Sequence, residues 1–550
     1  MTDLLPTKAI YRRGDAVTIE VRDLPGPAKL TVRHLGELRR TVPTVASGVV
    51  DLGRLDTGGY TVEAHAGDLL LGATAVQVVN DERARLRYGF VVDYRPGRDL
   101  GAVADNLRRL HLTGVQFYDW AYRHADLLGG GDLYDDALGQ PVSLATVRDL
   151  ISICHEVGAE ALGYAAVYAV GPKEWPDWEH DALLTPTGAP YGLGDFLFLV
   201  DPAAADWLAH FTGELAGSID RIGFDGFHLD QYGYPKRAHR PDGAIVDVAS
   251  SFTTMIDAVR QALPESRLVF NNVNDFPTWR SAHAPQDAVY IEAWDPHTDL
   301  GHLARAVTRA RAEALGKPVV VAAYQHVYDD ASASAADVAT ALTMATLFSH
   351  GATHLLCGEA DRILVDPYYV RNHVVDDSTA ALLRRWYDFL VAHDELLMPA
   401  AVVDVTGSYT GPYNDDLDVH YNDRAVSADA TAGTVWRRVT QVQDQLVMHL
   451  INLTGQDDTR WDAPRNRPGD TGPATLRIRR VGVGLPRIRV ADPDRQGCLI
   501  DVPVTIDGDH ARAQLPEVHL WQLVLIDPAG PSPADRAATR ELDTDDLGSA

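Results

Sequence analysis

Two acidic residues stand where chemistry is expected: Asp230, near the end of GFDGFHLDQYG (223–233), and Glu292, inside YIEAW (290–294). Each closes an apolar run, with aromatic, amide or imidazole side chains nearby and no cysteine or histidine cluster. Carboxylates beside aromatic rings suit a sugar, whose C–H faces stack on rings while its hydroxyls bond to acids and amides. Cleaving a glycosidic bond takes two carboxyl groups. One gives a proton to the leaving oxygen, and the other attacks, or activates water, from the opposite face of the ring. Asp230 and Glu292 are the pair assigned to those tasks. The alternative for each is a structural carboxylate held in the interior. His228 lies two residues before Asp230 and shares its strand face, which continues inward through Gly226 and is expected to leave room near a substrate. Asp225 has the opposite parity and reads as a turn or capping residue.

The ends of the other apolar runs supply candidate sugar contacts: Asp93, Tyr118, Asp119, Trp120, Tyr168, His228, Asn272, Asn274, Trp294, Tyr324, His326 and Glu359. Asp93, Asp119 and Glu359 either hold hydroxyls or cap the upper layer of the fold. Trp120, Trp294, Tyr168 and Tyr324 are either stacking platforms or core. Asn272, Asn274 and His326 are buried-type polar groups that need partners, which a sugar would provide. No metal site or cofactor is expected, since neither CxxC spacing nor an EF-hand loop occurs.

The elements that must position these residues follow from periodicity. Eight apolar runs, at 87–94, 114–120, 160–170, 223–230, 267–274, 288–295, 317–326 and 353–359, alternate with segments of helical spacing such as LGAVADNLRRLH and GHLARAVTRARAEAL. Only the stretch between the fifth and sixth runs is too short for a full helix. Near-continuous apolar strands need covering on both faces, and closing eight of them into a (β/α)8 TIM barrel leaves no edge. In such a barrel the chemistry gathers at the C-terminal ends of the strands.

Alternating segments flank this region, giving a multidomain expectation: an N-terminal β-sandwich of immunoglobulin-like size at 1–82, a catalytic barrel at 83–397, a C-terminal β-sandwich at 398–527 and a disordered acidic tail at 528–550. A net charge of −28 argues against nucleic acid or an anionic membrane as partner. The three cysteines are few, scattered and odd in number, which fits buried apolar residues better than a disulfide framework. The chain does not open on a basic start followed by an apolar run, so it is expected to be cytoplasmic as it stands, and secreted if a signal peptide has been removed. Oligomeric state is left open.

QFYDWAYRH (116–124), FDGFHLDQYG (224–233), FNNVN (270–274) and YIEAW (290–294), with KAIYRRGDAVTIEV near the start, resemble glycoside hydrolase family 66, the dextranases and cycloisomaltooligosaccharide glucanotransferases. The resemblance covers most of the chain. It implies the same order of three units, a retaining mechanism with Asp230 as nucleophile and Glu292 as general acid/base, and an α-1,6-linked glucan as substrate. Phe227 and Gln231 stand where the family usually shows Trp and Thr. The cyclising members' inserted carbohydrate-binding module is not seen here, which favours hydrolysis. Glucanotransfer and non-catalytic carbohydrate binding are the alternatives. These roles require Asp230 to be ionised, with His228 and Tyr232 as candidate donors, and Glu292 to be protonated, its pKa raised by the Trp294 ring and the Asp230 charge. The two carboxyls should face each other at roughly 5 Å over the barrel's mouth. Trp175 and Trp178, in the long loop at 170–195, are candidates for outlying subsites.

Overall fold

A computed structural model describes residues 3–26, 28–411, 414, 416–480 and 484–527; the expected disordered tail at 528–550 lies outside them. At its centre is an eight-stranded parallel sheet whose strands lie side by side in chain order. They are β1 (Tyr88–Val91), β2 (Gly114–Phe117), β3 (Glu160–Ala166), β4 (Gly226–Asp230), β5 (Arg267–Val273), β6 (Ala288–Glu292), β7 (Val319–Ala322) and β8 (Thr353–His354). All eight runs inferred from periodicity are present as strands. The sheet is nearly closed into a barrel. Across the seam between β8 and β1, Phe90 N donates to Cys357 O at 3.2 Å and Thr353 Oγ1 donates to Leu86 O at 2.7 Å.

Two glycines make the tight inter-strand approaches possible. A Cβ on Gly358 would meet the Phe90 backbone at 2.0 Å, and one on Gly226 would meet the Arg267 backbone at 1.9 Å. This corrects the expectation that Gly226 leaves room near a substrate: its missing side chain lets β4 lie against β5.

Helices Leu100–Arg109, Leu144–Glu156, Ala205–Ile222, Val248–Ala262, Leu300–Glu313, Ala333–His350 and Asp377–Ala392 follow the strands, with only the single turn Thr278–Ser281 between β5 and β6. Local signals set several of their starts. The Asp99 side chain accepts from Ala102 N at 3.1 Å and that of Asp376 from Thr379 N at 2.9 Å, each satisfying a first-turn N–H. Helix Ala333–His350 differs from its neighbours in being buried all round from Ala339 to His350. It lies between the barrel and the C-terminal strands, and Arg438 donates to Ser349 O across that junction. A helix enclosed on all sides loses its polar face.

At the N-terminus, a three-stranded and a five-stranded sheet share one core that includes Ile19, Leu30, Val62 and Val76. They dock at the N-terminal ends of the barrel strands, where Ala9 N donates to Val157 O at 2.8 Å and Arg87 donates to Gln77 Oε1 at 2.5 Å. At the C-terminus, a seven-stranded and a four-stranded sheet enclose Val419, Leu450, Leu476 and Val524. One loop of this unit reaches the opposite end of the barrel, where Trp461 N donates to Thr298 O at 3.1 Å. The three cysteines are buried and unpaired. Among the described residues no helix is long and apolar enough to cross a membrane.

Candidate active site

Asp230 is the last residue of β4 and Glu292 the last of β6. Between them, on β5, the register Leu229↔Phe270 and Asn271↔Tyr290 turns Asn271 to the same inner face. The Asn271 side-chain amide donates to Asp230 Oδ1 at 2.7 Å and to Glu292 Oε2 at 2.9 Å. Those two oxygens therefore lie no farther apart than the two bonds laid end to end. That span is close to the ~5 Å carboxyl spacing of double displacement and short of the roughly 6.5–9.5 Å that leaves room for an inverting water. The remaining acceptor positions are also filled by neutral donors: Tyr164 OH to Asp230 Oδ2 at 2.7 Å, and Tyr324 OH to Glu292 Oε1 at 2.8 Å.

Burial pushes both carboxyl groups above their ordinary range, and the charge of Glu292 adds to the effect on Asp230. The Asn271 and tyrosine hydrogen bonds act in the opposite direction. Two buried carboxyls this close titrate as a pair, the second ionising against the charge left by the first. The rise at Glu292 thus comes from burial; Trp294, which sequence reasoning named as raising it, instead lowers it through a hydrogen bond. Burial also raises the Tyr164 and Tyr324 phenols well above their usual value, so both stay protonated and able to donate. It lowers His228 to about 3 and His124 to about 4, leaving both rings neutral. No Lys or Arg lines the cavity among the described residues. The acidic pair is stabilised without a cation.

The cavity around the pair has a volume of about 210 Å³. Tyr118, Asp119, His228, Trp294 and Tyr324, all candidates from the sequence, line it. Tyr118 lies flat on Tyr369, with ring centroids 4.2 Å apart. Asp119 follows β2 in a left-handed conformation (φ +44°), which aspartate tolerates better than most residues, and burial followed by the charges of Asp136 and Asp230 pushes its carboxyl well up. Neither expected donor to Asp230 serves it. His228 Nδ1 faces Tyr88 OH at 3.3 Å, and the donors are Tyr164 and Asn271.

The other candidates lie outside this cavity, each with a structural contact that explains its place. Trp120 is fully buried and donates to Tyr164 O at 3.2 Å. Tyr168 donates to Tyr234 O at 2.6 Å beneath the loop that follows β4. Asn272 faces the barrel's outside, accepting from Ser281 Oγ and donating to Tyr290 O at 2.8 Å. Asn274 braces the next loop by accepting from Trp294 N at 2.7 Å and donating to Asp295 O at 2.9 Å. Asp93 pairs with Arg95 at 2.7 Å. Glu359 pairs with Arg98 and accepts from Val92 N at 2.7 Å. His326 lines a neighbouring cavity. Trp175 stacks on Phe198 and Trp178 packs edge-on against Trp207; their loop gives Leu193 to the cavity instead, joined by Phe196 just beyond it.

Asn271 is the residue that sequence reasoning missed. FNNVN offers adjacent amides, and the pairing Val273↔Glu292 fixes which one shares the face of Glu292. Tyr164 and Tyr290, with inward parity on their strands, were legible by the same rule.

Residues 6–525 match the model of Glycosyl hydrolase family 66. A cycloisomaltooligosaccharide glucanotransferase of Niallia circulans is 23% identical over 701 aligned positions, covering 94% of this chain and 71% of that protein. A dextranase of Streptococcus salivarius is 25% identical over 370 positions, covering 57% of this chain and 44% of that protein. Among solved structures, a Paenibacillus sp. cycloisomaltooligosaccharide glucanotransferase complexed with cycloisomaltoheptaose superposes with a TM-score of 0.84 at 19% identity, covering 96% of this chain and 100% of that one, and so has the same fold. With nearly its whole length matched by the family model, this chain belongs to glycosyl hydrolase family 66.

Proposed function

We propose that the protein is a retaining glycoside hydrolase that cleaves α-1,6-glucosidic linkages in dextran or isomaltooligosaccharides. The observation that carries this reading is the Asn271 amide bridging Asp230 and Glu292. In the first step ionised Asp230 attacks the anomeric carbon while protonated Glu292 gives its proton to the departing oxygen. In the second, Glu292, now a carboxylate, takes a proton from water as the water oxygen attacks the same carbon and returns the electron pair to Asp230. Burial raises the pKa of both carboxyls, which favours the pair keeping one proton between them. Tyr164 and Asn271 hold Asp230 in position for attack without neutralising it.

A second reading, transfer of the glycosyl group to a sugar acceptor, is favoured by the likeness to the Niallia circulans and Paenibacillus proteins, which are cycloisomaltooligosaccharide glucanotransferases. Supporting hydrolysis, the Streptococcus salivarius relative is a dextranase. Incubation with a panel of α-glucans of differing linkage, with product sizes followed over time, tests both readings. Short linear isomaltooligosaccharides are expected from α-1,6-glucans. Cyclic or elongated products would replace hydrolysis by transfer, and binding without release of reducing ends would remove catalysis altogether.

A further inference from the structure

Asn271 joins the two acids, and the strand end that carries it is gripped from the β4 side by Gln231, the residue after Asp230. The ladder between β4 and β5 ends at the pair Leu229↔Phe270, one residue short of Asp230 and Asn271. Beyond that pair the Gln231 side chain takes over. Its amide donates to Asn271 O at 3.1 Å and to Phe276 O at 3.1 Å, and its oxygen accepts from Gly233 N at 2.5 Å. The side chain is buried, and both of its amide hydrogens are engaged within the protein rather than offered to a sugar. We propose that Gln231 is a positioning residue for the double displacement, fastening the end of β4 to β5 so that the Asn271 amide stays between the two carboxyls. The inference rests on the glycosidase reading above and adds a residue that acts through Asn271.

Asn271 depends on such a grip because its side chain has little else to orient it. Among the described residues its only side-chain hydrogen bonds are those to Asp230 and Glu292, and its buried Oδ1 has no partner. Where the amide points therefore follows from where the backbone stands. Gln231 holds that backbone at two places, at Asn271 itself and at Phe276, in the turn that folds back when Phe276 N donates to Val273 O at 3.0 Å.

The loop that presents Gln231 is itself braced on both sides. Towards β5, Gly233 adopts φ +79°, and a Cβ there would meet Val273 Cγ1 at 2.9 Å, so the turn lies directly against the strand. Towards β3, Tyr168 OH accepts from Tyr232 N at 3.0 Å and donates to Tyr234 O at 2.6 Å. A side chain of other length or chemistry at 231 leaves a buried carbonyl unpaired and lets the ends of β4 and β5 move apart. The Asn271 amide then draws away from one acid or both. Because that amide favours both charged forms, its withdrawal raises both pKa values.

The test is a double-mutant cycle read on isomaltopentaose. Wild-type protein must first cleave isomaltopentaose; if it does not, the glycosidase reading fails and this inference falls with it. Given cleavage, Gln231→Met, close in length but unable to bond the two carbonyls, is expected to lower kcat about tenfold while KM stays within about twofold, the pattern of a group that acts on the reacting geometry rather than on binding. Both limbs of its pH–rate profile should move to higher pH. In an Asn271→Ala background the same substitution should change kcat by less than about twofold and leave the limbs where Asn271→Ala puts them, because the group it positions is already gone. Should the Met variant not fold, Gln231→Asn, which keeps the amide but is one methylene too short to reach both carbonyls, goes through the same cycle and decides the outcome. A wild-type kcat, unmoved pH limbs, or an equal loss of kcat in both backgrounds would overturn the proposal while leaving the glycosidase reading intact.

Discussion

Two arcs of the barrel rim bury carboxylates at the same end of the strands and treat them in opposite ways. At the seam, Glu359 faces the Arg98 guanidinium and accepts from Val92 N and Asp93 N. Across β4 to β6, Asp230 and Glu292 receive side-chain hydrogen bonds from neutral groups, an amide, two phenols and the Trp294 indole, and among the described residues no Lys or Arg lines their cavity. A guanidinium bonded to both oxygens fixes the carboxylate's orientation and makes it a clamp. Neutral donors position a carboxyl and leave its proton free to move, because burial then works against the charge with no opposite charge to offset it. Burial alone does not mark a working carboxylate; the charge of its partner does.

The contrast predicts a graded set of effects on turnover. Asp230→Asn and Glu292→Gln should each give folded protein with at least a ~100-fold loss, the usual minimum for removing a catalytic acid, base or nucleophile. Near-normal turnover on isomaltooligosaccharides in either variant would end that residue's assignment. Asn271→Ala should lower kcat by about 10- to 100-fold, since it removes the one group that orients both acids. Its amide favours both charged forms, so removing it raises both pKa values and moves both limbs of the pH–rate profile to higher pH.

The two tyrosines separate the limbs. Tyr164 favours ionised Asp230, which must be charged to attack, so Tyr164→Phe should shift the acid limb upward by about one pH unit. Tyr324 favours ionised Glu292, which must be protonated to act, so Tyr324→Phe should instead shift the alkaline limb upward by a similar amount. Shifts in the reverse order would exchange the roles of the two acids. At the seam, Glu359→Ala leaves Arg98 buried without its partner. It should destabilise the barrel by about 3–5 kcal/mol in denaturant unfolding, with little change in the pH profile of the folded enzyme. A pH profile altered as strongly as in the tyrosine variants would erase the distinction between the arcs.

Much of the barrel was legible because its signals are local. Val, Ile and Phe runs such as those of β6 and β7 are buried on both faces, and a polar side chain at the end of such a run has nowhere to go but the rim. Asp230, Glu292 and Tyr324 were found in this way. The same rule over-collected. Trp120, Tyr168 and Asn272 also end apolar runs but do not line the mouth: Asn272 has the opposite parity to Asn271, and Trp120 and Tyr168 lie beyond the ends of their strands at Phe117 and Ala166, where strand alternation no longer sets direction. In FNNVN a shift of one residue separates Asn271, which touches both acids, from Asn272, which touches Ser281 and the Tyr290 backbone.

By itself the sequence determined the eight strands, their order and the two acids that finish β4 and β6, because apolar period and run ends are properties of neighbouring residues. Only the tertiary structure decided that Asn271 joins those acids, that no Lys or Arg among the described residues lines their cavity, and that a loop of the C-terminal unit stands beside it. Those three facts depend on sheet register, barrel closure and the docking of distant segments, all of which are set by packing across the chain rather than along it.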